Sequence, residues 1–199
     1  MGISRLPGRI GSRAKQILNR EMRVDGVDEV TTAALRARRG DPAAARSFVT
    51  ATQRDVWRTC ANLVDRASAD DLTQETYARA FAALHRFAGR SSARTWLLAI
   101  ARRVCADAIR DAVRSRSVRS PMPHHAADPA DAVTLDALLA TLPRDRREAF
   151  VLTQLVGLSY AEAADVCGCP VGTVRSRVAR ARVDLVASYG DDAGRAASR

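Results

Sequence analysis

Four arginines lie within eight positions of the segment GCPVGTVRSRVARARVDL, residues 168–185: Arg175, Arg177, Arg180 and Arg182. A guanidinium group is permanently charged and can donate two parallel hydrogen bonds, either to a phosphate or to the O6 and N7 atoms of guanine. Charge runs of this kind also occur on helix faces that contact only solvent. The chemistry of the segment therefore allows two readings, a nucleic-acid contact or a solvated surface.

The spacing of the apolar residues in this segment predicts an amphipathic helix over residues 171–186. At about 100° per residue, five apolar side chains share one face: Val171, Val174, Val178, Ala181 and Leu185. The opposite and flanking faces carry polar, basic or small side chains: Thr173, Arg175, Ser176, Arg177, Ala179, Arg180 and Arg182. An apolar back with an arginine-, serine- and threonine-bearing front suits a helix that lies in the major groove of DNA.

A second, shorter helix is predicted directly before this one, over residues 160–166, with CGCP between the two. Ala164, Gly168 and Val174 fall at the spacings of a helix-turn-helix, where a small residue permits close helix crossing. Gly168 permits a positive φ in the turn, and Pro170 fits the entry of the second helix. Together with the net charge of +10, which indicates a polyanionic partner, these residues favour DNA binding over a solvated face.

The composition excludes several other classes of protein. The chain has 199 residues, of which 47% are hydrophobic, and no apolar run reaches the length needed to span a membrane. No secretory pattern opens the chain, so we predict a cytoplasmic protein that does not bind membranes. Its three histidines, His85, His124 and His125, are dispersed or lie in a proline-rich segment, and no carboxylate cluster accompanies them. We therefore predict neither an enzyme nor a cofactor.

The cysteines are predicted to be buried thiols rather than disulfides or metal ligands: Cys60, Cys105, Cys167 and Cys169. Cys167 and Cys169 form a C-x-C pair with two histidines upstream, which raises the alternative of a zinc site. Structural zinc sites usually have two to four residues between paired cysteines, and Cys167 takes an apolar helix position. We therefore predict no metal.

The helical periodicity predicts an all-α fold of two small domains joined by a flexible linker. Residues 1–27 are expected to be a disordered basic tail, or an extension upstream of a start at Met22, and 28–117 to form the first domain. Residues 118–131 hold three prolines and read as the linker. The second domain spans 132–188 and a disordered tail 189–199. Within the first domain, Asp41 and Pro42 are predicted to begin a helix, and Ser68 to cap another.

The chain resembles the bacterial extracytoplasmic-function sigma factors, group 4 of the sigma-70 family. DDLTQETYARAF (70–81) and SSARTWLLAIARRVCADAIR (91–110) are similar to two stretches of that family's first domain, and LSYAEAADVCGCPVGTVRSRVARAR (158–182) to its DNA-binding region. The resemblance covers about residues 29–188 and, within the family, is greatest to the actinobacterial SigC-type members. It implies an RNA polymerase subunit that binds the core enzyme, recognises the −10 and −35 promoter elements and directs initiation.

The resemblance also implies a role for particular residues. The contacts to the clamp helices of the polymerase β′ subunit map onto Asp70, Asp71, Leu72, Gln74 and Glu75. Capture of a flipped −10 base maps onto Phe87, Gly89, Arg90, Ser91, Ser92 and Arg94, with Arg103 alongside. Contacts with the −35 element map onto Thr173, Arg175, Ser176, Arg177, Arg180 and Arg182, of which Arg177 is expected to bind phosphate.

Three further implications concern partners and departures from the family. The segment 142–159 resembles the part that contacts the polymerase β flap, and family members are commonly held by an anti-sigma factor. Many relatives have Asn where this chain has Arg103, which leaves the −10 base preference open.

An alternative function is a helix-turn-helix transcriptional regulator that acts without core polymerase. Such a protein would carry a ligand-binding or phospho-acceptor domain, for which no βα pattern is present.

Overall fold

The computed structural model describes residues 23–24, 27–118 and 135–197, which form an all-α fold as predicted. The first domain contains helices α1 (Glu29–Ala37), α2 (Pro42–Leu63), α3 (Ala69–Ala83) and α4 (Ala93–Val118), with a 3₁₀ turn at Leu84–Arg86. The second contains α5 (Leu135–Thr141), α6 (Arg144–Phe150), a π-helical turn at Val151–Leu155, α7 (Tyr160–Cys167) and α8 (Val171–Ala197). Residues 119–131 of the predicted linker and most of the predicted N-terminal tail lie outside the described residues, and Val118 is the last residue of α4.

Two features differ from the periodicity-based expectation. Strands β1 (Arg23–Val24) and β2 (Val27–Asp28) pair antiparallel, with Arg23 opposite Asp28, so a short ladder precedes the first helix. At the other end, α8 continues to Ala197, although a tail was expected from residue 189. Neither segment has an apolar repeat strong enough to be recognised in the sequence.

Local capping explains where the helices of the first domain begin. Asp41 accepts hydrogen bonds from the backbone N–H groups of Ala43 and Ala44, and Pro42 occupies the first turn, which confirms the predicted start of α2. The N–H of Ala44, followed by Arg36, lowers the pKa of Asp41. Ser68 is the N-cap residue of α3, as predicted, but its hydroxyl makes no capping hydrogen bond, because Asp65 binds both the Ser68 N–H and its hydroxyl.

The first domain is held by apolar side chains from α2, α3 and α4. Phe48, Val56, Leu97 and Val104 are all at most 2% exposed. Cys60 and Cys105 are free thiols in the buried core, and a hydrogen bond with the Cys60 thiol, followed by burial, raises the pKa of Cys105. A thiol of this kind behaves as a small hydrophobic side chain.

The two domains pack against each other in the structure. Helix α4 contacts α7, and α2 contacts the π-helical turn. Four fully buried residues of the second domain, Leu139, Leu152, Val174 and Val178, belong to the same continuous cluster of buried side chains as the first-domain residues. The linked domains are therefore one compact body in this arrangement.

Candidate nucleic-acid interface

The helix-turn-helix predicted from the sequence is formed by α7 and α8. Ser159 and Glu162 make a reciprocal capping box that begins α7, so two of the N–H groups at the helix start are satisfied. Gly168 ends α7 with φ 65° and ψ 39°, the left-handed conformation expected of the turn glycine. Ala164 is 5% exposed at the helix crossing, and α8 begins at Val171, directly after Pro170.

Helix α8 presents the predicted division between an apolar back and a polar front. Val174, Val178 and Ala181 are at most 1% exposed, whereas Arg175, Ser176 and Arg180 are exposed on the other side. The polar face of α8 is therefore open to solvent even though the two domains pack against each other.

The arginines of α8 differ in what they already bind. Arg177 forms an ion pair with Asp145 (Nε to Oδ2, 3.0 Å), and Arg182 donates to Gln154 Oε1 at 2.8 Å. The guanidinium of Arg175 lies 5.9 Å from the centre of the Tyr160 ring. Within the described part of the chain, the side chain of Arg180 has no hydrogen-bond or ion-pair partner. Arg180 is consequently the arginine of this face most available to a base, since Arg177 and Arg182 would first have to leave protein partners.

A second candidate surface is the loop of residues 87–92, between the 3₁₀ turn and α4. Phe87 is 4% exposed and its ring lies 4.9 Å from that of Trp96, so its side chain supports the loop from below and does not face solvent. Gly89 has φ 70°, and Ser92 accepts a hydrogen bond from the N–H of Thr95 at 3.1 Å, which caps α4. Arg90 and Ser91 are exposed and are the side chains that the loop offers to a ligand.

A stripe of residues on one face of α4 continues from this loop. Trp96, Ala99 and Arg103 follow Ser92 at steps of four, three and four residues, and Trp96 and Ala99 are half-buried and pack against the core. Arg103 is exposed, and no described residue accepts a hydrogen bond from its side chain. Arg110 lies further along the same face but forms an ion pair with Asp107. The pKa of Asp107 is lowered chiefly by a hydrogen bond from Arg79. A basic stripe beside a polar loop is a suitable track for a single strand.

Arg94 does not belong to this surface, although the family resemblance assigned it to the −10 contact together with the loop residues. It lies on the other side of α4, where Nε donates to Asp55 Oδ2 at 2.7 Å and Nη2 donates to the carbonyl of Val156 at 2.8 Å. Val156 belongs to the second domain, so Arg94 is a domain–domain contact in this structure. A DNA contact by Arg94 requires that contact to break.

The third candidate surface is the exposed side of α3. Asp71 and Gln74 are exposed and bind no described residue through their side chains, whereas Leu72 is half-buried. Asp70 accepts a hydrogen bond from Trp57 Nε1 at 2.9 Å, and Glu75 pairs with Arg79 at 2.6 Å. Two of the four predicted polar groups are thus free and two are oriented by neighbours.

The domain contact contains a buried charge that sequence reasoning missed. The Glu148 side chain is 6% exposed and accepts from Arg102 Nε of the first domain at 2.7 Å and from Arg144 Nε of its own helix at 2.9 Å. A second, exposed ion pair joins Arg66 to Asp136 at 2.7 Å. No local pattern indicates such pairs, because the partners lie 46 and 70 positions apart.

The described part of the chain offers neither a metal-binding cluster nor a helix that could span a membrane. In the part of the chain that is described, no group of three or more His, Cys, Asp or Glu side chains could hold a metal ion, and His124 and His125 lie outside that part. Cys167 and Cys169 are free and half-buried. Burial raises the pKa of Cys167 to about 11. None of the helices that the structure describes is long and apolar enough to cross a membrane.

Comparison with protein families matches two regions of the chain. The model described as Sigma-70 region 2 matches residues 48–115, and that described as Sigma-70, region 4 matches residues 132–185. The first match contains α3, the loop and most of α4, and the second contains the helix-turn-helix. The fold and these two regions define a protein of the sigma-70 class.

Similar proteins narrow the class. The chain is 54% identical over 173 residues to the ECF RNA polymerase sigma factor SigC of Mycobacterium tuberculosis, with 83% of this chain and 94% of that protein covered. It is 40% identical over 128 residues to the ECF RNA polymerase sigma factor EcfG of Rhodopseudomonas palustris, covering 60% and 70% of the two chains. This chain belongs to the extracytoplasmic-function RNA polymerase sigma factors.

Solved structures agree with this assignment. CnrH in complex with the cytosolic domain of CnrY superposes with a TM-score of 0.67 at 28% identity, over 83% of this chain and 99% of that one. The sigma factor RpoE of Bartonella quintana, in complex with the anti-sigma factor NepR, superposes with a TM-score of 0.61 at 30% identity, over 70% and 92%.

Proposed function

We propose that promoter recognition by this sigma factor is divided between two surfaces, with α8 reading the −35 element and the loop of residues 87–92 with α4 binding the −10 strand. The observation that carries this proposal is the state of the side chains on the two faces. Arg180, Arg90 and Arg103 are exposed and have no partner among the described residues. Charged groups held in this way can bind DNA without first giving up a protein contact.

On the −35 surface, Arg175, Ser176 and Arg180 are the base-contacting residues and Thr173 supports them. Ser176 Oγ donates to the Thr173 carbonyl at 2.9 Å, which fixes its rotamer but leaves its lone pairs free to accept. Arg177 and Arg182 flank the face and bind phosphate after exchanging Asp145 and Gln154 for DNA. Phosphate contacts position the helix, and base contacts give it sequence preference.

On the −10 surface, Arg90 and Ser91 project from the loop while Phe87, Gly89 and Ser92 determine its shape. An unstacked base needs a pocket and its backbone needs cations. Arg103 supplies one cation on the same face, and its charge favours the strand whatever the preferred base. Arg94 contributes only once the domains have separated.

The polymerase-binding surface is the exposed side of α3, with Asp71 and Gln74 as its free polar groups. Trp57 and Arg79 hold Asp70 and Glu75 in fixed positions, so this surface is preorganised for the β′ clamp helices. The segment 142–159 contacts the β flap in this scheme. The protein carries out no catalysis of its own, requires no cofactor, and acts in the cytoplasm together with the polymerase.

The docked domains must separate before both promoter elements can be bound. Elements centred near −35 and −10 lie about 80 Å apart along B-form DNA. A compact chain of this length has a radius of gyration of about 16 Å and is about 40 Å across. The docked arrangement is therefore a resting form, and assembly with polymerase and DNA replaces the domain contacts. The similar sigma factor RpoE, whose structure is that of a complex with the anti-sigma factor NepR, supports an anti-sigma factor as a further partner.

A matched pair of variants tests the polymerase-binding surface. Asp71→Asn and Glu29→Gln each remove one carboxylate charge from the first turn of a helix, so their effects on the helix dipole are similar. We expect Asp71→Asn to weaken binding to core polymerase about fivefold to tenfold, the typical worth of one hydrogen bond, and Glu29→Gln to bind like the unaltered protein. Equal affinity of both variants for core polymerase would refute the assignment.

The −35 surface also separates this function from a regulator that acts without polymerase. Arg180→Ala should cost about 1–3 kcal/mol at one −35 position and relax the base preference there. A uniform loss across all sequences would make Arg180 a phosphate contact instead. A regulator of the alternative class would show the same promoter preference in the presence and absence of core polymerase, and Asp71→Asn would leave its activity unchanged.

A further inference from the structure

The loop of residues 87–92 has few restraints within its own sequence. Phe87 anchors its first residue in the hydrophobic core, and Ser92 caps the helix at its last. Between them, Gly89 adopts a left-handed conformation that glycine alone reaches without strain. A pocket that discriminates between bases needs a fixed shape, since each degree of freedom lost on binding reduces both affinity and selectivity.

Helix α1 and its C-cap residue, Arg38, make three contacts along this loop and at the start of α4. At the start of the loop, Arg38 Nη1 donates to the carbonyl of Phe87 at 2.8 Å. In the middle of the loop, the Leu35 side chain packs against Gly89. A Cβ placed on Gly89 would lie 3.6 Å from Leu35 Cδ1. At the end, the N–H of Ala93 donates to Thr31 Oγ1 at 2.7 Å.

The three residues that make these contacts are spaced so that they lie on the same side of α1. Thr31, Leu35 and Arg38 stand at positions i, i+4 and i+7, which lie on one face of a helix. Their loop partners follow in the opposite order along the chain, so α1 runs antiparallel to the loop. The contacts at the two ends span 49 and 62 positions of sequence.

Thr31 is held in a single orientation. Its hydroxyl donates to Asp28 Oδ2 at 2.7 Å, while its backbone N–H donates to Asp28 Oδ1 at 2.9 Å. Because the hydroxyl proton is used, the oxygen faces Ala93 only as an acceptor. Thr31 is 3% exposed, so water does not replace it, and without it the Ala93 N–H would be one of the unsatisfied groups at a helix start.

We propose that α1 is the template that shapes the −10 loop, with Thr31 and Arg38 as positioning residues that set its base selectivity. This inference rests on the proposed function of the loop and adds to it. Neither residue need touch DNA: Arg38 fixes where the loop begins and Thr31 fixes where it enters α4. Loss of either contact allows the loop to sample other shapes, and its discrimination between bases falls.

The test uses the full chain reconstituted with core RNA polymerase, on the promoter most strongly initiated from a library and on single-base substitutions of its −10 element. Thr31→Val and Arg38→Ala should each lower the ratio of initiation between the preferred and substituted base about fivefold to tenfold, the factor that one typical hydrogen bond represents. Thr31→Ser retains a hydroxyl oxygen as the acceptor for the Ala93 N–H and should keep the ratio of the unaltered protein. Arg39→Ala, which removes the same charge from the next position and breaks no side-chain contact to a described residue, should leave the ratio unchanged.

The outcomes separate this inference from a merely structural role. Selectivity at the −35 element and affinity for core polymerase should be the same in all variants, because the side-chain hydrogen bonds of Thr31 and Arg38 go to Asp28, Phe87 and Ala93 and none of them reaches α8 or α3. Unchanged −10 selectivity in Arg38→Ala and Thr31→Val would overturn the proposal, as would an equal loss at both elements. If Thr31→Val fails to fold, the exposed Arg38 decides the result. Initiation by the unaltered protein that ignores the −10 sequence would refute the proposed function of the loop itself.

Discussion

Replacement of Arg102 tests whether the bridge to Glu148 holds the domains together. Arg102→Met removes the guanidinium but keeps most of the side-chain stem, so packing on α4 is largely retained. Glu148 would keep Arg144 as a partner within its own domain. The substitution therefore affects the contact between domains and leaves the buried carboxylate paired.

The expected magnitude follows from the exposure of the pair. Breaking a fully buried ion pair costs about 3–5 kcal/mol, and an exposed pair contributes about 0–1 kcal/mol. Glu148 is 6% and Arg102 28% exposed, so the pair lies between these limits. We expect Arg102→Met to weaken docking by about 1–3 kcal/mol, which lowers the docking equilibrium constant about fivefold to 150-fold.

Small-angle X-ray scattering of the full chain measures the consequence directly. Arg102→Met should have a larger radius of gyration than the unaltered protein, and Arg103→Ala, on the solvent-facing side of the same helix, should not. Added salt should increase the radius of gyration of the unaltered protein only modestly, because the ion pair between Arg102 and Glu148 is largely shielded from solvent. Identical scattering from Arg102→Met and the unaltered chain would show that this bridge does not hold the docked form.

Three further predictions concern the helix-turn-helix. Gly168→Ala should destabilise the folded chain by about 1–2 kcal/mol in denaturant unfolding, because Gly168 has φ 65° while a Cβ there would meet no atom within 4 Å, so the cost is one of backbone conformation alone. Ser159→Ala should cost about 1 kcal/mol in the same measurement through loss of the α7 cap, and Ser159→Asp should recover most of it. Cys167 should be alkylated by iodoacetamide more slowly at pH 8 than in the denatured chain, with the rate rising towards pH 11, because burial disfavours the thiolate and raises the pKa of Cys167 to about 11; equal rates in the folded and denatured chains would contradict this.

Features set by neighbouring residues could be predicted from the sequence. Asp41 followed by Pro42 determines the start of α2, and Gly168 determines the turn before α8, because capping and positive φ depend on a few adjacent groups. The inner face of α8 follows from its valine spacing in the same way. These local rules were sufficient to predict the all-α fold class and the exposed polar face of α8.

Features that depend on distant parts of the chain could not be predicted. Arg94 resembles a loop residue in sequence, yet its position on α4 directs it to Asp55 and to the second domain. Ser68 has the right type for a cap, but Asp65 occupies it. The hydrogen bond from Ala93 to Thr31 has no local pattern, since the two residues meet only after α1 has packed on α4.

Transcription with core RNA polymerase on a promoter library measures directly whether this chain selects promoters as a sigma factor. We expect the full chain to bind the core enzyme and to initiate from a defined set of sequences with shared −35 and −10 elements. Arg180→Ala should alter only the −35 preference, and Asp71→Asn should reduce initiation at every promoter. Absence of both core binding and sequence-specific initiation would refute the proposed function.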